Sequence, residues 1–202
     1  IETSLRGLLN RVSDSNKCVI VRNLTDLLKD INDDDAQTDA ISMFIEKLFQ
    51  KCMSERNFTE LYVEILYETL VSIQPHHPGL ASKIYRSLII HLQQEFEEDI
   101  TVDNRVDKIN CTRFIARLTN KKFIKPKLLH DILRGLLESR NQFKYELACV
   151  LIKEVELAII KACNVSGDID FLVAENYSRD DGSISKRIQF MLDDSLTILH
   201  ST

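Results

Sequence analysis

The stretch Phe49-Gln50-Lys51-Cys52-Met53-Ser54-Glu55-Arg56-Asn57-Phe58-Thr59-Glu60-Leu61-Tyr62 runs off the end of one amphipathic helix and into the start of another. The turn between them is too short to carry an active-site loop, so the segment reads as the hinge of an antiparallel helix pair. Upstream, Ile41, Phe44, Ile45, Leu48, Phe49 and Cys52 form one apolar stripe; downstream, Phe58, Leu61, Tyr62, Ile65, Leu66 and Ile73 form the next. Both follow the i, i+3, i+4, i+7 spacing that gathers residues on one helix face. Phe49, Phe58 and Tyr62 are expected to hold the pair together.

The same periodicity extends in both directions. Ile20, Leu24, Leu27, Leu28 and Ile31 mark an earlier stripe, and Ala81, Ile84, Tyr85, Leu88, Ile89, Leu92 and Phe96 a later one. Cys111, Phe114, Ile115 and Leu118 come next, followed by Leu129, Ile132, Leu133, Leu136 and Leu137. The apolar run from Leu147 to Cys163 reads as the most buried helix, and Ile184, Ile188, Met191, Leu192 and Leu199 as the last stripe. Short helices are expected near Ser4–Val12 and Ile169–Tyr177. Loop chemistry falls between the stripes, at Asp33-Asp34-Asp35, Gln74 to Gly79, Lys125-Pro126 and Arg179 to Ser183. About ten helices in close succession predict an all-α fold, an α-solenoid of about five HEAT-type antiparallel hairpins, with a compact ten-helix bundle as the rival.

Composition agrees. The 202 residues are 44% hydrophobic and 28% charged, with only Gly 5 and Pro 3, which leaves little turn chemistry for a many-stranded sheet. Five widely spaced cysteines without a C-x-x-C suit reduced thiols better than a disulfide or zinc framework. No run approaches the roughly 20 apolar residues of a spanning helix, so no membrane partner is expected. The chain starts at Ile1, which suggests one domain, residues 1–202, excised from a longer scaffold protein.

Candidate chemistry fails on spacing. His76-His77 lies between prolines with no third metal ligand in reach. The run from Asp30 would need Gly at position six and Glu at position twelve of a calcium loop, and holds Asp35 and Ile41 there. The acids instead suit the N-terminus of the following helix. No phosphate-binding glycine loop and no nucleophile elbow occurs. Cys111, Cys149 and Cys163 lie on apolar stripes, and nothing sets a nucleophile beside a base. An enzyme is not expected, nor any cofactor or metal.

Charge is uneven. Between Arg105 and Lys127 lie eight cations against the single acid Asp107, a net +7, which leaves −12 for the remainder of a chain whose total is −5. Arg113 and Arg117 share a helix face, and Lys121, Lys122, Lys125 and Lys127 follow across a turn. The segment is either a solvated helix edge or a contact for RNA phosphates or an acidic protein surface. Phe114 reads as core, which leaves Phe123 as the one aromatic available for stacking on a base.

Four segments together resemble the middle domain of eukaryotic translation initiation factor 4 gamma. They are Leu8-Leu9-Asn10-Arg11-Val12-Ser13, the hinge quoted above, Tyr85-Arg86-Ser87-Leu88 through Gln94-Glu95-Phe96-Glu97 with Phe114-Ile115-Ala116-Arg117-Leu118, and Ser185-Lys186-Arg187-Ile188-Gln189-Phe190-Met191-Leu192-Asp193-Asp194. They stand in the family's order over nearly the whole chain. Departures are Lys17, where the family commonly has a partner-binding aromatic, Arg56 in place of proline, and a shorter connector after Glu98.

The resemblance implies a non-catalytic, monomeric, cytoplasmic translation-initiation scaffold that binds and stimulates a DEAD-box RNA helicase, initiation factor 4A. RNA and other initiation factors are further partners it implies. Leu9, Asn10, Arg11 and Val12 are expected to meet one helicase lobe, and Arg187 and Phe190 the other, although Leu9 and Phe190 read equally well as core. Asp at Leu9 and Val12 is expected to abolish binding while the domain stays helical. A paralogous middle domain from an mRNA-decay or cap-binding complex is the alternative, and a primarily RNA-binding helical module using Arg113, Arg117, Lys121, Lys122 and Lys125 is a third reading.

Overall fold

In the computed structural model, residues 1–139, 141–163, 167–171, 174 and 184–201 are described. Among them there is no strand, and the architecture is all-α. The helices are α1 (Glu2–Leu9), α2 (Lys17–Lys29), α3 (Asp34–Ser54), α4 (Thr59–Ile73), α5 (Pro78–Glu97), α6 (Arg105–Asn120), α7 (Pro126–Glu138), α8 (Gln142–Glu154), α9 (Leu157–Ala162) and α10 (Lys186–His200). Residues 167–171 are also helical, which covers the start of the helix expected near Ile169–Tyr177. Most of the remainder of that helix, and the Arg179–Ser183 loop, lie outside the described residues.

Local chemistry sets the boundaries. Asp33 caps α3 by accepting from the Ala36 amide at 2.8 Å, with Asp34 and Asp35 in the first turn facing the positive end of the helix. The acidic run is therefore a helix start. Asn141 caps α8 in the same way through the Phe143 amide, 2.9 Å away. Pro78 and Pro126 open α5 and α7, where the missing N–H costs no hydrogen bond.

The chain divides into two compact units, residues 1–99 and 100–202. In the first, α1, α3 and α5 pack in sequence, as do α2 and α4, with α1–α2 and α3–α4 closing hairpins. Contact of each helix with the next but one is the register of stacked HEAT-type hairpins. Phe44, Ile45, Leu48, Ile65 and Leu66 are fully buried in this unit. In the second unit α6, α8 and α10 pack in sequence, and α7 meets α8 and α9. Its core is built on Phe114, Ile115, Leu118, Leu133 and Leu151.

The hinge forms as expected, with α3 ending at Ser54 and a 3-10 turn over Arg56–Phe58 leading into α4. Phe49 and Tyr62 are buried, whereas Phe58 is 47% exposed. Phe58 belongs to the 3-10 turn, which takes it out of phase with the α4 stripe. The run from Leu147 to Cys163 is likewise two helices rather than one. Val155 is extended, and Asn120 of α6 bridges the break by donating to the Glu154 carbonyl at 3.0 Å and accepting from the Glu156 amide at 2.9 Å. That one amide side chain satisfies backbone groups on both sides of the interruption.

Candidate partner-docking site

The opening segment and the hinge come together within the first unit. Leu5, Leu8 and Leu9 bury the inner face of α1 against α3. This pairing lays the C-terminal end of α1 beside the C-terminal half of α3. Between them lies a cleft of about 280 Å³ lined by Arg6, Leu9 and Asn10 on one side and Lys47, Gln50, Lys51 and Ser54 on the other. Three cations and two side-chain amides therefore face one concavity. Arg6 and Lys51 lie in the last turns of α1 and α3, where the helix dipoles favour positive charge.

The carboxylates that balance these cations do not line the cleft. Arg6 pairs with Glu2 at 2.9 Å, and Lys51 with Glu55 at 2.7 Å. Glu55 also accepts from the Tyr62 hydroxyl. Hydrogen bonds from Lys51 and then Tyr62 hold the Glu55 carboxyl below its ordinary range, over a weaker upward push from burial. Burial raises the Tyr62 phenol, and the Glu55 charge adds to it. Lys51, Glu55 and Tyr62 thus clasp the hinge and fix one wall of the cleft.

The expected docking residues separate on burial. Asn10 and Arg11 are exposed, and Val12 is half-buried. Their turn is rigid: Asn16 donates to the Arg11 carbonyl at 2.5 Å and accepts from the Ser13 amide at 2.9 Å, while Arg11 donates to the Gly7 carbonyl at 2.9 Å. Leu9 is 1% exposed and belongs to the core. Asp at Leu9 would bury a charge, so loss of binding with an intact helical domain is not the outcome this geometry gives. Lys17 is occupied by two carboxylates of α4, Glu64 and Glu68, each at 2.8 Å.

In the second unit, Phe190 is 69% exposed on α10. Arg187 pairs with Glu146 of α8, a carboxylate 2% exposed that also receives Arg105 through two hydrogen bonds of 2.7 and 2.8 Å. The Arg105 guanidinium lies 5.6 Å from the centre of the Phe143 ring. Burial by itself would raise the Glu146 carboxyl, but Arg105 and Arg187 outweigh it and hold the group below its ordinary range.

The basic segment gathers at the α6–α7 turn. Arg113 and Arg117 both face Glu154 of α8, at 3.6 and 3.1 Å. Lys122, Lys125 and Lys127 are exposed, and Lys121 is half-buried. Arg105, held by Glu146, and Lys108, which is buried, do not belong to this edge. Phe114 is fully buried and Phe123 half-buried. No group of three or more metal-ligating side chains occurs among the described residues, and no helix there is long and apolar enough to cross a membrane.

A family model described as the MIF4G domain matches residues 2–156. The chain is 22% identical over 206 aligned positions to a pre-mRNA-splicing factor CWC22 homolog of Caenorhabditis briggsae, covering 98% of this chain and 20% of that protein. The homolog of Caenorhabditis elegans is likewise 22% identical, with 98% of this chain and 21% of that protein covered. The chain thus spans about a fifth of the length of these relatives.

Proposed function

The chain belongs to the MIF4G domain family, and we propose that it is a non-catalytic scaffold domain of a pre-mRNA-processing factor that docks a DEAD-box RNA helicase. The observation that carries the reading is the cleft between α1 and α3. It presents exposed Asn10, on a turn pinned by Asn16, beside a wall fixed by the hinge clasp. A rigid, polar, cationic concavity with no nucleophile or base in catalytic array suits recognition rather than chemistry. Exposed Phe190 offers an apolar anchor in the second unit.

Relatives named as splicing factors favour the paralogous version of the domain over the translation-initiation one. Initiation factor 4A itself, and the cytoplasmic setting that comes with it, therefore give way to a helicase of the same DEAD-box class acting on pre-mRNA. A scaffold of this kind changes the helicase cycle only by binding one arrangement of the two lobes more tightly than the others.

The test is RNA-dependent ATPase activity of recombinant DEAD-box helicases of the initiation-factor-4A class, with and without the domain, together with co-purification. A complex that changes the ATPase rate, and is lost on Asn10→Asp with Arg11→Glu, is the expected result. No complex with any helicase of the class would overturn the reading.

A further inference from the structure

We propose that the cleft between α1 and α3 binds a compact phosphate-bearing anion of pyrophosphate size. Its two walls are polar stripes at helical spacing. On α3, Lys47, Gln50, Lys51 and Ser54 stand at i, i+3, i+4 and i+7, and on α1, Arg6 and Asn10 stand one turn apart. Where helices of this unit close on one another that spacing carries apolar residues, and here it carries three cations. The side chains of Lys47 and Lys51 are only 19% and 23% exposed, so their stems are packed and their ammonium groups are presented from fixed positions.

The counterions leave room for a ligand. No carboxylate is among the described residues that line the cleft. The C-terminal ends of α1 and α3 bring about half a negative charge each, which the three cations exceed. Glu55 is held to the hinge by Tyr62, and Glu46, 3.8 Å from Lys47, is taken up by the Gln50 amide at 2.8 Å. Glu2 remains, reaching Arg6 at 2.9 Å and Lys47 at 3.9 Å from an exposed position in the first turn of α1. An exposed ion pair of that kind is worth about 0.2–1 kcal/mol, so an incoming polyanion can replace Glu2 and take over both of its partners.

Shape then selects the ligand. Donors on both walls suit tetrahedral phosphate groups, whose oxygens turn to several sides, better than a planar carboxylate that offers one edge. The two ammonium groups bind phosphates as point charges, and Arg6 adds a forked donor. The apolar part of the lining is Leu9, which is 1% exposed, and no aromatic side chain is among the described lining residues. Nothing there would recognise a nucleobase or an acyl chain, so the ligand is the phosphate group itself.

The experiment titrates the domain alone with sodium pyrophosphate, free of magnesium and at about 100 mM salt, read by calorimetry and by backbone amide NMR. Saturable one-to-one binding below about 1 mM is expected, with shifts at Arg6, Asn10, Gln50 and Ser54, and with citrate at least about tenfold weaker. R6Q/K47Q should weaken pyrophosphate by at least about tenfold, because two charge-assisted hydrogen bonds are lost. Glu2→Gln should tighten it about threefold, because the competing carboxylate is gone. K125Q/K127Q removes the same two charges from exposed lysines of the second unit and should leave the affinity unchanged.

Absence of both heat and amide shifts at about 10 mM pyrophosphate would overturn the proposal. Equal weakening by R6Q/K47Q and K125Q/K127Q would overturn it in favour of general charge attraction, and citrate as tight as pyrophosphate in favour of a carboxylate site. The binding does not rest on helicase docking, since no helicase is present in the titration. A failed titration therefore leaves the co-purification result standing, and the reverse also holds.

Discussion

Arg187, on the exposed side of α10, is bonded to Glu146, a carboxylate buried in α8. The same carboxylate takes two hydrogen bonds from Arg105 of α6, so one acid ties three helices of the second unit together. Arg187 is thus committed within the fold, and the exposed apolar side chain of its segment is Phe190.

Glu146→Gln keeps the shape and removes the charge. Because both guanidiniums still reach solvent, the cost should be about 1–3 kcal/mol rather than that of orphaning a fully buried charge. The pH dependence has a definite sign. Glu146 is held below its ordinary range when folded, so its contribution is present above the unfolded carboxyl value of about 4.3 and is lost as pH falls through the folded value. Urea midpoints of the parent should therefore fall on acidification from about pH 5, and those of Glu146→Gln should fall less over the same window.

The hinge was legible in sequence because everything that specifies it is local: two stripes in phase, a three-residue turn, and Lys51, Glu55 and Tyr62 within a dozen positions. The break after Glu154 was not, since Asn120 closes it from more than thirty residues away and the run Leu147–Cys163 has no glycine or proline to mark it. Leu9 could have been assigned to the core, because Leu5, Leu8 and Leu9 stand at i, i+3 and i+4. Phe190 stands off the stripe of Ile188, Met191 and Leu192, and that offset is the signal of its exposure. The cleft needed three dimensions. Lys47 and Asn10 come together only through the packing of α1 on α3.

Leu9 and Asn10 are neighbours with opposite roles, and single substitutions should separate them. Leu9→Ala removes a side chain that is 1% exposed, and should cost about 2–5 kcal/mol. Asn10→Ala removes an exposed amide at the cleft and should leave the urea midpoint nearly unchanged. If the cleft docks the helicase, Asn10→Ala weakens the complex while the fold is intact, whereas Leu9→Ala acts through stability. Equilibrium urea unfolding read beside co-purification checks both.

Thr25 on α2 and Thr69 on α4 are buried, and their hydroxyls have no hydrogen-bond partner among the described residues. A buried hydroxyl left unpaired is destabilising, and valine has nearly the same shape without it. Thr69→Val and Thr25→Val should each raise stability by about 0.5–1.5 kcal/mol, seen as higher urea midpoints at unchanged slope. A loss of stability in both variants would show that these hydroxyls are satisfied in solution.

Lys122 is a further departure from local preference, with φ at 64° in the left-handed region. The reason lies in how α6 ends. The Lys122 amide bonds to Thr119 and the Phe123 amide to Leu118, and this helix-ending pair of bonds requires a left-handed residue between them, usually glycine. A lysine there brings its Cβ close to the following carbonyl oxygen, at a cost of about 1 kcal/mol. Lys122→Gly should relieve that crowding and, after the added freedom of the unfolded chain is deducted, leave the domain up to about 0.5 kcal/mol more stable. Lys122→Val should destabilise it, because a β-branched side chain tolerates this backbone least. Thermal midpoints that rise for glycine and fall for valine are the expected pattern.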